Sequence, residues 1–208
     1  FHRSGTTWTQ QAYLKASNPD IRDNFGVSAA MSADGTTIVV GAMAEDSAAT
    51  GVNGDQSDNS LTSSGAIYVF RRSGTTWAQE AYIKTSNPDL QDAFPTAMAL
   101  SFDGNILVAS SYSEESAATG VNGNQGDNSL DRAGAAYVFT RRGTTWRQMS
   151  YLKASNAEEL DRFGSSVAIS PDGNHVLIGA RGEDGGSTGF GGDQSDNSVN
   201  YSGALYLY

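Results

Sequence analysis

The chain contains no cysteine, which excludes disulfides, thiolate metal centres and cysteine nucleophiles. Histidine is nearly absent as well: only His2 and His175 occur, at unrelated points of the sequence. Positive charge is scarce, with 13 Lys and Arg against 23 Asp and Glu, giving a net charge of −10 and a sequence pI near 4.5. A nucleic-acid binder that replaces counterions along a phosphate backbone needs the opposite balance. No apolar run approaches the ~20 residues that span a bilayer. The stretch also lacks an initiating Met and a signal peptide, so the native start of the gene is expected to lie outside it. What remains is 208 residues, 38% hydrophobic and 10% aromatic, which is enough to bury a core. An acidic chain rich in Gly, Ser, Thr, Asn and Asp suits a bacterial extracellular protein.

The sequence repeats. Trp8, Trp77 and Trp146 are separated by 69 residues, as are Phe25, Phe94 and Phe163, and Gly65, Gly134 and Gly203. Phe1, Phe70, Phe139 and Tyr208 are equivalent too, so the chain opens and closes at one point of the repeat. A fixed period without insertions means that one supersecondary unit has been copied. Each unit reads as four short strands. In the first copy these are "FGVSAAMS" (25–32), "TTIVVGA" (36–42), "SGAIYVF" (64–70) and "TTWAQEAYIK" (75–84). The second is apolar in succession and predicts a strand buried on both faces. In the fourth, Trp77, Gln79, Ala81 and Ile83 alternate with Ala78, Glu80, Tyr82 and Lys84, which predicts a half-exposed outer strand.

Small residues in the first strand and bulky ones in the fourth suit a wedge that is narrow at an axis and wide at its rim. A β-trefoil has shorter units and a β-solenoid a much shorter period. The expected fold is therefore all-β: a β-propeller of four-stranded antiparallel blades. Three 69-residue repeats are too few for a usual ring, so the chain is read as part of a larger ring or array. The expected division of 1–208 is an outer strand of a preceding or closing blade (1–17), blade one (25–84), blade two (94–153) and blade three lacking its outer strand (163–208).

Two stretches, "FGVSAAMSADGTTIVVGA" at 25–42 and "FGSSVAISPDGNHVLIGA" at 163–180, resemble the FG-GAP repeat. "SGAIYVF", "AGAAYVF" and "SGALYLY" look like the next strand of the same unit. That resemblance implies the seven-bladed propeller of integrin α subunits and of many bacterial surface proteins, with protein or glycan partners engaged by loops on one face. The middle copy departs, with Phe94–Pro95 for Phe-Gly and "VASSYS" (108–113) where Gly-Ala is expected. Pro95 lacks an N–H, so the first strand of that copy is expected to be irregular. The family often carries a D-x-D-x-D-G calcium cage in the first hairpin. Here those hairpins are "SADGTT", "SFDGNI" and "SPDGNH", and one Asp cannot supply six to eight oxygens. The familiar cage is absent.

A long acidic loop also recurs: "EDSAATGVNGDQSDNS" (45–60), "EESAATGVNGNQGDNS" (114–129) and "EDGGSTGFGGDQSDNS" (183–198). By strand parity these loops share a face with the links that begin at Ser17, Ser86 and Ser155. Nineteen acids and seven bases fall there, a charge of −12, against +3 on the opposite face. Two readings of the loops stand side by side. Asn, Asp, Ser and Gly can satisfy their own backbone through Asx turns. Alternatively, Asp46, Asn53, Asp55, Asp58 and Asn59, with Asp184, Asp193, Asp196 and Asn197 in the last copy, offer oxygens for Ca²⁺. Asn124 and Gly126 would weaken the middle copy.

The tryptophans are expected to pin outer strands to neighbouring blades rather than to stack on sugar. Arg71–Arg72 and Arg141–Arg142 read as solvated turn residues, or as a patch that docks on the acidic face of another copy. Asn200-Tyr201-Ser202 is a lone, weak glycosylation sequon. No catalytic residues are assigned, because neither histidine has a nucleophile partner and chemistry needs one asymmetric pocket. The functional expectation is a non-catalytic extracellular binding, adhesion or structural scaffold, with no nucleic-acid partner, no membrane span and Ca²⁺ as the only cofactor considered. The alternative is a self-assembling surface or filament subunit whose faces stack or whose end strands exchange between chains.

Overall fold

The computed structural model describes residues 1–208 as fourteen strands and no helix. A short hairpin comes first, β1 (His2–Ser4) and β2 (Thr7–Thr9). A four-stranded sheet follows: β3 (Phe25–Met31), β4 (Thr37–Ala42), β5 (Ala66–Ser73) and β6 (Thr76–Ile83). The second sheet holds β7 (Met98–Leu100), β8 (Ile106–Ser111), β9 (Gly120–Val121), β10 (Ala135–Arg142) and β11 (Thr145–Lys153). The third holds β12 (Phe163–Ile169), β13 (Val176–Ala180) and β14 (Ala204–Leu207). All pairings are antiparallel between sequence neighbours, except that β9, drawn from the long loop, pairs with the outer edge of β11.

The strands form where the period-2 pattern and β-branched residues place them, and corresponding strands recur 69 or so residues apart. As expected, Pro95 disturbs its copy: β7 has three residues where β3 and β12 have seven. One expectation is corrected. The outer strands are not half-exposed throughout, because Tyr82, Ile83 and Lys84 are all buried, as are Tyr151, Leu152 and Lys153. The cause lies outside the strand. In the first sheet the loop lays Gly51–Asn53 along the free edge, with Asn53 N donating to Tyr82 O (2.7 Å) and Lys84 N to Gly51 O (2.7 Å). The Asn53 Oδ1 accepts from Tyr82 N at 3.0 Å. An unpaired edge invites another chain, and this loop covers it within the same repeat.

The sheets stack face to face through three apolar clusters. One joins Val39, Ile67, Val69 and Ile83 of the first sheet to Phe94, Tyr137, Phe139 and Trp146 of the second. Another joins Val108, Ala136 and Leu152 to Phe163, Ile178 and Tyr206. The third sets Leu14 and Ala16 of the N-terminal segment on Tyr68, Phe70 and Tyr82. Residues 14–16 thus sit on the first sheet as 83–85 sit on the second.

The backbones approach closely where "SGA" meets the next "FG". Phe94 N donates to Ser64 O and Phe163 N to Ala133 O. Gly65 and Gly134 have φ of 82° and 83°, and a Cβ there would lie 1.7 and 2.0 Å from the carbonyl oxygens of Phe94 and Phe163. Only glycine fits.

The N-terminal segment forms its own hairpin rather than one continuous strand over 1–17. The β2 strand pairs only with β1, and the free edge of β14 stays open.

Candidate functional site

Each long loop begins with a glutamate that turns inward. Glu45 is buried, and its carboxylate accepts from Lys84 Nζ (2.9 Å), the Tyr82 hydroxyl (2.7 Å), Asn18 Nδ2 (3.2 Å) and Ser47 N (3.1 Å). The second copy repeats this with Glu114, Lys153 (2.9 Å), Tyr151 (2.7 Å), Asn87 (3.3 Å) and Ser116 N (3.2 Å). Desolvation pulls both lysines down and both tyrosines well up, and the adjacent glutamate reinforces the tyrosine shift. The link asparagine is the pivot. Asn18 Nδ2 also donates to Gln56 O (2.8 Å), while its Oδ1 accepts from the Tyr68 hydroxyl (2.7 Å). Asn87 and Asn156 make the same pair of bonds, to Gln125 O and Tyr137 and to Gln194 O and Tyr206. One network ties link, loop, third strand and outer strand together.

The third copy is incomplete. Glu183 is 6% exposed and meets Asn156 Nδ2 (3.3 Å) and Gly185 N (2.9 Å), with no lysine and no tyrosine hydroxyl upon it.

The residues considered for Ca²⁺ lie on the loops but spend their oxygens locally. Asp46 Oδ1 accepts from Ser63 N (2.7 Å), and Asp184 Oδ1 from Tyr201 N (2.6 Å). Asp55 and Asp193 accept from Ser57 and Ser195, main chain and hydroxyl alike. Asp58 bridges Ala48 N (2.8 Å) and Ser60 N (3.0 Å), and Asp196 accepts from Ser198 N (3.0 Å). Asn53 holds Tyr82, while Asn59 donates to Asp20 (2.8 Å) and Asn197 to Glu158 (2.7 Å). No three His, Asp or Glu side chains gather where they could share an ion. This donor set does not fit a calcium cage, which needs six to eight converging oxygens.

Not every acid counted on the loop face is presented there. Glu45, Glu114 and Glu183, together with the link residues Asp23, Asp92 and Asp161, are buried between elements rather than presented on a face. Nor is Arg141 a solvated turn residue. It forms a two-pronged ion pair with Glu80 across the first and second sheets (2.6 and 2.7 Å), to which Trp146 Nε1 adds a 3.1 Å hydrogen bond. Trp146 is buried in that interface and Trp77 partly so, as packing residues would be, whereas Trp8 is exposed. His175 lies exposed beside its hairpin. Local sequence does not set the inward glutamates apart from the other loop acids. Their signal was an unvarying Asn, Glu, Tyr and Lys at matching places in each complete copy.

No helix is long and apolar enough to cross a membrane. No curated protein sequence matches the chain. A solved structure of a hypothetical selenium-binding protein from Sulfolobus tokodaii is similar at a TM-score of 0.38 and 10% identity, over 83% of this chain and 34% of that one. The chain thus spans about a third of that protein's length. The FG-GAP repeat profile matches residues 8–70 and 146–208. The stretch between holds Phe94–Pro95 and Ser110–Ser111, where the flanking copies carry Phe-Gly and Gly-Ala. Those two matches cover more than half of the sequence, and the chain belongs to the FG-GAP repeat family.

Proposed function

We propose that the three sheets are blades of a β-propeller and that the chain is a non-catalytic extracellular binding or adhesion module for protein or glycan partners. One observation carries the reading: labour is divided within each loop. The base of the loop is committed to structure, through the buried glutamate and, in the first two copies, the segment that covers the sheet edge. The tip is exposed and varies between copies: Asp55, Asn124 and Asp193 at one position, Ser57, Gly126 and Ser195 two residues on. A rigid frame that displays variable polar tips is how loop-borne recognition is built. Membership of the FG-GAP family supports the surface location.

The test is biolayer interferometry of the immobilised chain against a panel of glycans and extracellular-matrix proteins. Saturable binding that weakens with Asp55→Ala and Asp193→Ala at unchanged melting temperature is expected. A chain that binds no panel member would overturn the proposal.

A further inference from the structure

Where a copied unit departs from itself, the departure is not demanded by the fold, and one group of departures lies at the seam between the second and third sheets. Seven bases fall on the loop side of the molecule: Lys15, Arg22, Lys84, Arg132, Lys153, Arg162 and Arg181. Lys84 and Lys153 are buried against Glu45 and Glu114. Of the other five, Arg132, Arg162 and Arg181 meet at this seam.

The backbone brings them together. Arg162 N donates to Arg132 O at 3.0 Å, and Gly182 N, next to Arg181, donates to Asp161 O at 2.9 Å. That second approach is so close that a Cβ on Gly182 would lie 2.0 Å from Leu160 O. The seam between the first and second sheets is built alike, with Ala93 N donating to Ser63 O at 2.9 Å. Yet its equivalent residues are Ser63, Ala93 and Tyr112. The same junction forms without any arginine.

The three guanidiniums are uncompensated. Ion pairs hold Lys84, Lys153 and Arg141, but none holds Arg162 or Arg181. Arg132 has only Asp131, at 3.8 Å with both side chains about half exposed, and a pair of that kind contributes little. Asp161 and Glu183, the acids nearest to Arg162 and Arg181 in sequence, are buried. Arg162 Nε is shut off from water with no acceptor, which costs free energy until one arrives. Arg181 lies over the Tyr112 ring, its Cζ 5.5 Å from the centroid, so that side chain is already held in place.

We propose that this seam binds the anionic group of an acidic sugar, a carboxylate or a sulfate ester. Arg162 and Arg181 donate to its oxygens, Arg132 exchanges Asp131 for it, and Tyr112 positions Arg181. Guanidinium forks match the geometry of both oxyanions. Charge limits the size of the ligand. The chain carries −10 overall, and exposed Asp131, Glu158 and Glu159 flank the arginines. An extended polyanion is repelled there, whereas a short saccharide with one or two acid groups is not. That the carrier is a sugar rests on the glycan binding proposed above; the anion site rests on the arginines.

The experiment is titration calorimetry of the 208-residue chain at low ionic strength with digalacturonate, galactose sulfate and galactose. Both acids should bind at one site per chain, and galactose should not. Arg132→Ser, Arg162→Ala and Arg181→Tyr write the residues of the first seam into the second, so each variant should fold. Each should weaken acid binding about tenfold. Arg22→Gln removes the same charge from the first sheet and should leave binding unchanged. Nuclear magnetic resonance of the unaltered chain needs no variant: either acid should shift the Arg162 Nε–H signal, less so as salt is added. A chain that binds neither acid overturns the proposal, as does binding that survives all three seam substitutions or falls equally with Arg22→Gln. If a glutamate-containing peptide moved the Arg162 signal and neither acid sugar did, the assignment to sugar would fail. Acid-sugar binding by a chain that captured no member of the interferometry panel would remove the adhesion reading and keep this site. Capture of a neutral glycan or matrix protein without acid-sugar binding would do the reverse.

Discussion

At the scale of the residue, a buried glutamate and lysine organise each complete repeat. Desolvating two charges is costly, and their attraction repays this only with good geometry and satisfied hydrogen bonds. Glu114 has both, with Lys153, Tyr151, Asn87 and a backbone N–H on its two oxygens. Lys153→Met strands that charge, and a loss of about 3–5 kcal/mol in urea unfolding is expected. Adding Glu114→Gln removes the orphaned charge and should recover a large part of the loss. A single variant as stable as the double would contradict this account. Glu80 works differently. It has Gln11 and Met149 at its equivalent positions, so its pair with Arg141 marks one interface and not the repeat. Periodicity could reveal the first contact but not the second.

At the scale of the element, the links matter as much as the strands. Each buries a carboxylate at the seam between sheets: Asp23, Asp92 and Asp161. Desolvation raises all three, Asp92 to about 7 and Asp161 to about 6. The N–H groups of Asp89 and Glu158 oppose the shift, and Glu114 and Glu183 add to it. A folded value above the unfolded one means that the folded chain binds more protons between about pH 4 and 7, so stability falls as pH rises through that window. Asp34 and Asp172, held down to about 2 by Ser32 and Thr36 and by Ser170 and Asn174, act with the opposite sign below it. The melting temperature is therefore expected to climb from pH 8 towards about pH 5 and fall beyond it. Asp92→Asn should flatten most of the climb. A wild-type chain whose melting temperature drops steadily from pH 8 to 5 would refute the assignment. The burial of these aspartates was not legible in the sequence, where "SNPDIRD" reads as a polar linker. It follows from the link being drawn under the loop of its neighbour, a contact between segments far apart in the chain.

At the scale of the whole molecule, copying one unit sets how the sheets stack. Because the loop acids are engaged by their own backbone and by the links, added Ca²⁺ is expected to leave the melting temperature at its chelated value. A calcium-dependent rise would mean that the loops rearrange to gather their oxygens. Sequence alone determined the strands shared by the copies, the 69-residue period, the irregular middle copy and the packing role of Trp146, since all four depend on local pattern and on identity between copies. Only tertiary structure decided that the acidic loop covers a sheet edge with a buried glutamate at its root, and that Arg141 is paired. The physical reason is desolvation. Whether an acid, an arginine or a strand edge faces water depends on what a distant segment lays over it, and no local pattern of residues records that.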